Sequence, residues 1–462
     1  MIAKALTRYK TPLAQVTVVG LVFFATVGLF LSASNLGAGG TQDITLADIS
    51  NGVLYGCLAL MGFFAGGVTN LLGPRITMLL GTLGYILYIG SLWCFQIQGT
   101  RWFVIFAGAI QGVSAALLWS AQGAIMMSYP LEKDKGKAFA LFWALYQSGS
   151  LVGSVISLAI TVRSGELSAV STGTYLAFII IMFFGAALTL LLLSPTAVAR
   201  GDGSTTVEVQ KVSGPMEEIM GLLDIVKDWR ILALIPMFFA SNFFYAYQGA
   251  INTFYFTGPT RALNATLEGA GGIIGALLIG IFVLDSTRFK RRTRGYLGLS
   301  IVAICMIVVW SCALSWQITF TRESTVQKLS YRDRTYGAKG VLFFFFFFCN
   351  ATYQALTYWI MGAITNDPRT LARYAGFYTA IQSCGSAGAY GMDATATPFL
   401  TEHLVSWVIV LVSLPLAGLV IFTVRDTSYQ REEPTFDVES SDKTIGEGTD
   451  NSTSELPQLE KE

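Results

Sequence analysis

A stretch that occurs twice constrains this chain more than anything else in it. Ala116 to Gly153 and Ala355 to Gly388 share one frame. Both open A-L-x-[W/Y]-x-x-x-G-A-I. Ala116, Leu117, Trp119, Gly123, Ala124 and Ile125 fill it in the first copy, and Ala355, Leu356, Tyr358, Gly362, Ala363 and Ile364 in the second. A polar connector with Pro130 or Pro368 follows. Then comes A-x-F-[W/Y]-x-x-x-Q-S, carried by Phe142, Trp143, Gln147 and Ser148, and again by Phe377, Tyr378, Gln382 and Ser383. Each copy reads as an apolar helix, a short polar turn and a second apolar helix. Phe23-Phe24-Ala25-Thr26 matches Phe238-Phe239-Ala240-Ser241 in the same order, and Leu60, Gly62 and Phe64 match Leu278, Gly280 and Phe282 more weakly. A unit that recurs once across half a chain requires two related halves.

The medium follows from composition. The chain is 53% hydrophobic and only 13% charged, about half the charge of a soluble domain. Apolar runs near the ~20 residues needed to cross a bilayer recur along it. We place twelve spans: Leu13–Leu36, Gly52–Leu72, Ile76–Phe95, Trp102–Met126, Ala138–Val162, Thr174–Leu193, Ile231–Phe256, Gly269–Leu284, Tyr296–Trp316, Gly340–Ile364, Tyr374–Met392 and Val405–Val424. The expected organisation is a six-helix half over 1–195, a linker over 196–230, a second six-helix half over 231–424 and a polar, disordered tail over 425–462. With both termini in the cytosol, about three-quarters of the lysines and arginines fall on the cytosolic side, as the positive-inside rule requires. The loop from Trp316 to Gly340 runs against that bias, with Arg322, Lys328, Arg332, Arg334 and Lys339. The sequon at Asn264 falls in an outer loop on this topology. Met216 to Val226 has helical periodicity and suits a surface-lying helix.

Several function classes drop out. A net charge of +1 offers no field for nucleic acid. Six cysteines without a CxxC, all in or at the ends of apolar stretches, indicate neither a disulfide framework nor a zinc site. The one histidine, His403, reads as structural. No nucleophile–base set, metal cluster or phosphate loop appears, so neither an enzyme nor a cofactor is expected.

The turn after span two reads Gly66-Gly67-Val68-Thr69-Asn70-Leu71-Leu72-Gly73-Pro74-Arg75. It resembles the major facilitator signature G-x-x-x-D-[R/K]-x-G-x-[R/K]: Gly66, Gly73 and Arg75 match, Asn70 stands for the acid and Leu71 for the first base. That superfamily has two parallel six-helix halves. Its signature loop is implied to lock the cytosolic side through charge pairs, and the loss of the acid puts such a lock in doubt here. Nearly the whole membrane part is similar to the fungal branch of the Unc-ninety-three-like family, through Gly20 to Phe24, Gly28, Ser34 to Gly40 and Ala372 to Tyr378 with Gln382-Ser383. Animal members of that family are implied to be regulators or escorts of other membrane proteins.

No Asp, Glu, Lys or Arg lies deep in a span as placed, which disfavours proton coupling through a midplane carboxylate. Asp285 and Asp393 sit at span ends. The polar groups in mid-span are amides and phenols. Gln111 pairs with Asn350, and Gln147 with Gln382, in the repeat. Asn242, Tyr245, Gln248 and Asn252 share a face of span seven, and Asn350, Gln354 and Tyr358 one of span ten. With Trp119, these are the candidate cavity residues, since the superfamily resemblance implies that spans one, four, seven and ten line its cavity. Intramembrane amides also join helices, a role that suits Gln147 and Gln382. The Phe343 to Phe348 run reads as lipid- and helix-facing bulk. The expected fold is all-α, twelve spans in two parallel halves. The expected function is alternating-access transport of a small neutral or organic solute, or else non-transporting escort of a membrane-protein partner. Beyond the lipid bilayer, neither solute nor partner is named by the sequence.

Overall fold

A computed structural model of the chain describes residues 7–31, 44–164, 172–199 and 215–427. The Ser34 to Gly40 stretch and the tail beyond 427 lie outside those residues. Ten described helices are long and apolar enough to cross a membrane: Pro12–Leu31, Ile49–Leu72, Pro74–Gln98, Arg101–Ser128, Lys135–Ile156, Trp229–Tyr255, Gly258–Leu284, Arg291–Gln317, Tyr336–Ile364 and Phe399–Phe422. Tyr175–Leu191 is a shorter apolar helix. Pro368–Ala394 is long enough but more polar. In chain order these twelve helices are spans one to twelve.

Local chemistry sets several helix starts. Gly73 has φ +78, a conformation that favours glycine, and turns span two into span three, which opens with Pro74 at its first position. Asp367 caps span eleven by accepting from the backbone amides of Arg369 and Thr370, again with proline, Pro368, at the first position. Asp228 caps span seven in the same manner. The segment Met216 to Val226 is helical, as its periodicity predicts, within a linker helix spanning Pro215–Lys227.

The halves meet where span two packs on span eleven and span five on span eight. At the first crossing the backbones touch. A Cβ built on Gly66 would lie 2.5 Å from the Ala372 carbonyl oxygen, and one on Gly376 would lie 2.7 Å from the Gly66 amide nitrogen. Near the far end of the same pair, Tyr55 stacks on Tyr390 at 5.3 Å.

Span eight differs from expectation. It begins at Gly258, eleven residues before Gly269, with Pro259 in its first turn. Asn264 is therefore a buried helix residue, and not part of an exposed loop: it donates to Asn252 at 2.8 Å and accepts from Tyr336 at 2.8 Å. A glycan there has no room. The earlier start also brings Glu268 inside a span, which overturns the expectation that no charged side chain lies deep.

The basic loop between spans nine and ten is ordered by its own contacts. Arg322 pairs with Asp393 and, at 2.7 Å, with Glu402, and its guanidinium lies 4.0 Å over the Phe399 ring. A parallel bridge joins Phe256 to Leu329. His403 is fully buried against the rings of Tyr247, Trp310 and Trp407, in keeping with a structural role. In the phenylalanine run Phe343 and Phe346 are core while Phe345 is exposed, as helix-facing and lipid-facing bulk would be.

Candidate functional site

The repeat motif F-F-A-[T/S] coincides with irregular backbone in both halves. In span one a π-helical turn occupies Phe24–Gly28. In span seven the helix stops at Ala240 and restarts at Phe244, leaving Ser241, Asn242 and Phe243 as a turn in mid-span. Broken helices at membrane depth occur where the backbone is buried in protein or lines a cavity. Asn242 sits in the break, and one turn on lies Tyr245.

Around this break the amides form one network. The Gln354 amide nitrogen donates to Asn242 Oδ1 at 3.1 Å and lies 3.5 Å from the Tyr245 hydroxyl. Gln382 donates to the same Asn242 oxygen at 3.2 Å and to the Tyr378 hydroxyl at 2.6 Å. Tyr378 in turn donates to Gln354 Oε1 at 3.4 Å. Spans seven, ten and eleven are thus tied at mid-depth. Gln354 is 3% exposed, whereas Asn242 and Tyr245 are half-buried. Gln354 holds the break from behind while Asn242 and Tyr245 present themselves to open space. Gln354→Leu is expected to lower thermal stability by about 1–2 kcal/mol and, by releasing Asn242, to weaken any solute uptake. An unchanged melting temperature would show that the network is not formed.

The other expected residues are divided. Asn350 donates to Gln248 at 3.2 Å, joining spans ten and seven. Tyr358 donates to Gln122 at 3.2 Å, a bond between spans ten and four and so between the halves. Trp119 packs edge-on against Phe23 and Tyr146 and remains half-buried. Gln111 is not brought to this group: its backbone lies against Gly84 of span three, within the first half. The repeat partners Gln147 and Gln382 have different surroundings. Gln382 belongs to the network, while the Gln147 amide lies against Gly272 of span eight and makes no hydrogen bond among the described residues.

The end of the bundle that carries the linker is closed by two clusters crossing between the halves. In the first, Asn70 of the signature loop donates to Glu218 of the linker helix at 3.0 Å and to the Arg369 carbonyl at 3.3 Å. Glu218 receives both a 2.8 Å and a 3.0 Å bond from Arg373 of span eleven. The acid that the signature loop lacks is supplied by the linker, so the loss of that acid does not abolish the lock. Arg75 is exposed and takes no part. In the second cluster, Arg291 pairs with Glu132 at 2.9 Å, and Lys135 donates to Asn366 at 2.9 Å and to the Gly362 carbonyl at 2.6 Å. Asp285, beyond the end of span eight, accepts from the Gly136 and Lys137 amides at the start of span five at 2.9 and 2.5 Å.

Sequence reasoning missed Glu218, Gln122, Tyr378 and Glu268. Proline at the head of span eight was the available signal for the last of these. The others are joined only by folding.

The comparisons agree with this architecture. The family model described as "Ion channel regulatory protein UNC-93" matches residues 48–423. A UNC93-like protein of Schizosaccharomyces pombe is 37% identical over 90% of this chain and 83% of its own length. UNC93-like protein 1 of Arabidopsis thaliana is 36% identical over 90% of this chain and 91% of its own. Among solved structures, the Escherichia coli fucose:proton symporter matches with a TM-score of 0.63 at 12% identity, over 88% of this chain and 98% of that one. The proton:xylose symporter matches with a TM-score of 0.59 at 13% identity, over 90% and 95% of the two chains. At such identities the structural likeness speaks for the fold. The chain belongs to the UNC-93 family and is a multi-pass membrane protein with the major facilitator fold.

Proposed function

We propose that this protein is a secondary transporter or facilitator that carries a small organic solute by alternating access, with both termini and the linker in the cytosol. The broken span seven supports this reading best. It leaves Asn242 and Tyr245 half-buried in mid-span, in a bundle whose linker end is closed by polar clusters that cross between the halves. A site at mid-depth with one end shut is what alternating access requires.

A second reading, escort or regulation of another membrane protein, draws on the family description and on the linker helix. Met216, Ile219, Met220 and Leu223 form an exposed apolar row on that helix, turned away from the bundle.

Single cysteines in a cysteine-free background test the proposal. Lys227→Cys is expected to react with an impermeant reagent only after the cytosolic face is opened, and Arg332→Cys from outside. Ser128→Cys, at the closed linker end, and Tyr390→Cys, at the other, are expected to change reactivity in opposite directions when a transported solute is added. Same-sided labelling of Lys227→Cys and Arg332→Cys would overturn the orientation. Fixed reactivity at Ser128→Cys and Tyr390→Cys across a metabolite library, with no uptake into liposomes, would favour the escort.

A further inference from the structure

We propose that Glu268 is a cation-exchange site, at which the carboxyl group holds either a proton or the ammonium group of an organic cation. The inference rests on the transport reading and narrows its solute from organic to cationic.

Glu268 lies in span eight about 15 Å along the helix from Gly258, near the middle of a hydrocarbon layer about 30 Å thick. It makes no ion pair and no hydrogen bond among the described residues. A carboxylate at such depth is costly and marks function by default. Its direction excludes lipid. Span eight turns Ile274 and Leu278 outward, both more than 40% exposed. Glu268 leaves the helix on another face, that of Gly272 and Gly275, which meet Gln147 of span five and the Phe348 backbone of span ten. Yet Glu268 is half-buried rather than sealed. Partial exposure on an inward face at mid-depth means that the carboxyl borders space inside the bundle.

What borders that space suits one kind of ligand. The titratable groups facing Glu268 are the phenols of Tyr245, from span seven, and Tyr336, from the head of span ten. Span five contributes the neutral Gln147 amide, which makes no hydrogen bond among the described residues, span ten the backbone of Phe344 and Phe348, and the π turn at the end of span eight only apolar residues and glycine. On its own helix Arg261 lies two turns away and is not paired with it. Among the described residues no lysine or arginine pairs with the carboxylate. An arriving cation would be met by one negative charge and by the phenol of Tyr245, whose ring packs on Phe347. One carboxylate beside the phenols of Tyr245 and Tyr336 favours an alkylammonium, whose charge is spread and weakly hydrated, by charge pairing and cation–π attraction. It offers too few oxygens to strip a small inorganic ion of its water.

The exchange balances. With the site empty, the carboxyl carries a proton and the site is neutral. When the ammonium enters, the proton leaves to water and the ion pair is again neutral. The site therefore crosses between its two accessible states uncharged in either form, and cation movement one way is matched by proton movement the other.

Isothermal titration of the purified full-length chain with tetraethylammonium tests this, at about pH 8 and about pH 5.5, in two buffers of different ionisation enthalpy. Binding is expected at the higher pH with release of about one proton per cation. At the lower pH it should be at least about tenfold weaker. Glu268→Gln should abolish binding with little change in melting temperature, and Glu268→Asp should retain a weakened, proton-releasing site. Absence of binding to the wild type at either pH, equal binding by Glu268→Gln, or binding without proton release would each overturn the proposal. The cysteine pair at Ser128 and Tyr390 keeps the two readings apart. Opposite reactivity changes with another solute, but no tetraethylammonium binding, would reject the Glu268 site and leave transport standing. Loss of both would reject both.

Discussion

Replacing Arg291 with alanine is expected to open the linker end and to cost the closed arrangement about 3–5 kcal/mol. Arg291 is 3% exposed; it pairs with Glu132 at 2.9 Å and donates to the Gly362 carbonyl at 3.2 Å. Its removal takes the guanidinium away from Glu132, and the Asn366 amide at 2.6 Å, a neutral donor, does not replace that charge. A largely enclosed carboxylate that loses its guanidinium is relieved by admitting water, and water enters by separating the halves. Labelling of Ser128→Cys, whose parent side chain is 4% exposed, reads the opening. The free energy above corresponds to labelling faster by about 10²–10⁴-fold. Arg291→Lys keeps the charge but loses the planar fork, and should fall between. Unchanged labelling and unchanged melting would mean that this cluster does not hold the gate.

Gly66→Val is the second large effect. The valine Cβ would occupy the position 2.5 Å from the Ala372 carbonyl oxygen and 2.7 Å from the Arg373 Cα. Both are backbone-anchored atoms, which no side-chain rotation can move aside. Spans two and eleven must separate, at about 1–3 kcal/mol or more for overpacking, and separation pulls Asn70 of span two from the Arg369 carbonyl of span eleven. Thermal unfolding should fall and linker-end labelling should rise together. Gly56→Ala on the same helix is the control: its Cβ would meet nothing within 4 Å, and stability should hold within about 1 kcal/mol. Equal effects at the two glycines would show that close approach is not what Gly66 provides.

Much of this architecture is legible in the sequence, because the repeat and the lengths of the apolar runs are written in residue type alone. Span eight shows where that stops. Arg261, Asn264 and Glu268 lower the apolar content of its first turns, so hydropathy begins the helix at Gly269, while the backbone begins it at Gly258. Asn264 is tolerable there only because Asn252 and Tyr336, from two other helices, satisfy it, and pairs of that kind are made by folding. Span eleven is polar for a like reason: it packs against spans two, four and seven and shows little of itself to lipid. The amides of spans seven and ten were visible as faces of helices. The break at Asn242, which turns those faces into a network with Gln382, was not, since no proline or glycine marks it. Glu218 lay hidden because a linker helix has no fixed address in sequence; only its docking onto Arg373 shows that it replaces the missing acid.

The pairing of Arg322 bears on the order in which the chain is built. Its acidic partners, Asp393 and Glu402, come 71 and 80 residues later. A chain inserted from its amino end delivers the basic loop to the membrane before either acid exists. In that interval the loop's lysines and arginines favour retention on the cytosolic face. On the proposed orientation, only when spans eleven and twelve have entered does the outer location gain its counter-charges. The orientation of the second half is therefore committed by its last two helices, and a nascent chain arrested before Asp393 should hold spans nine and ten in a topology that the finished protein does not share.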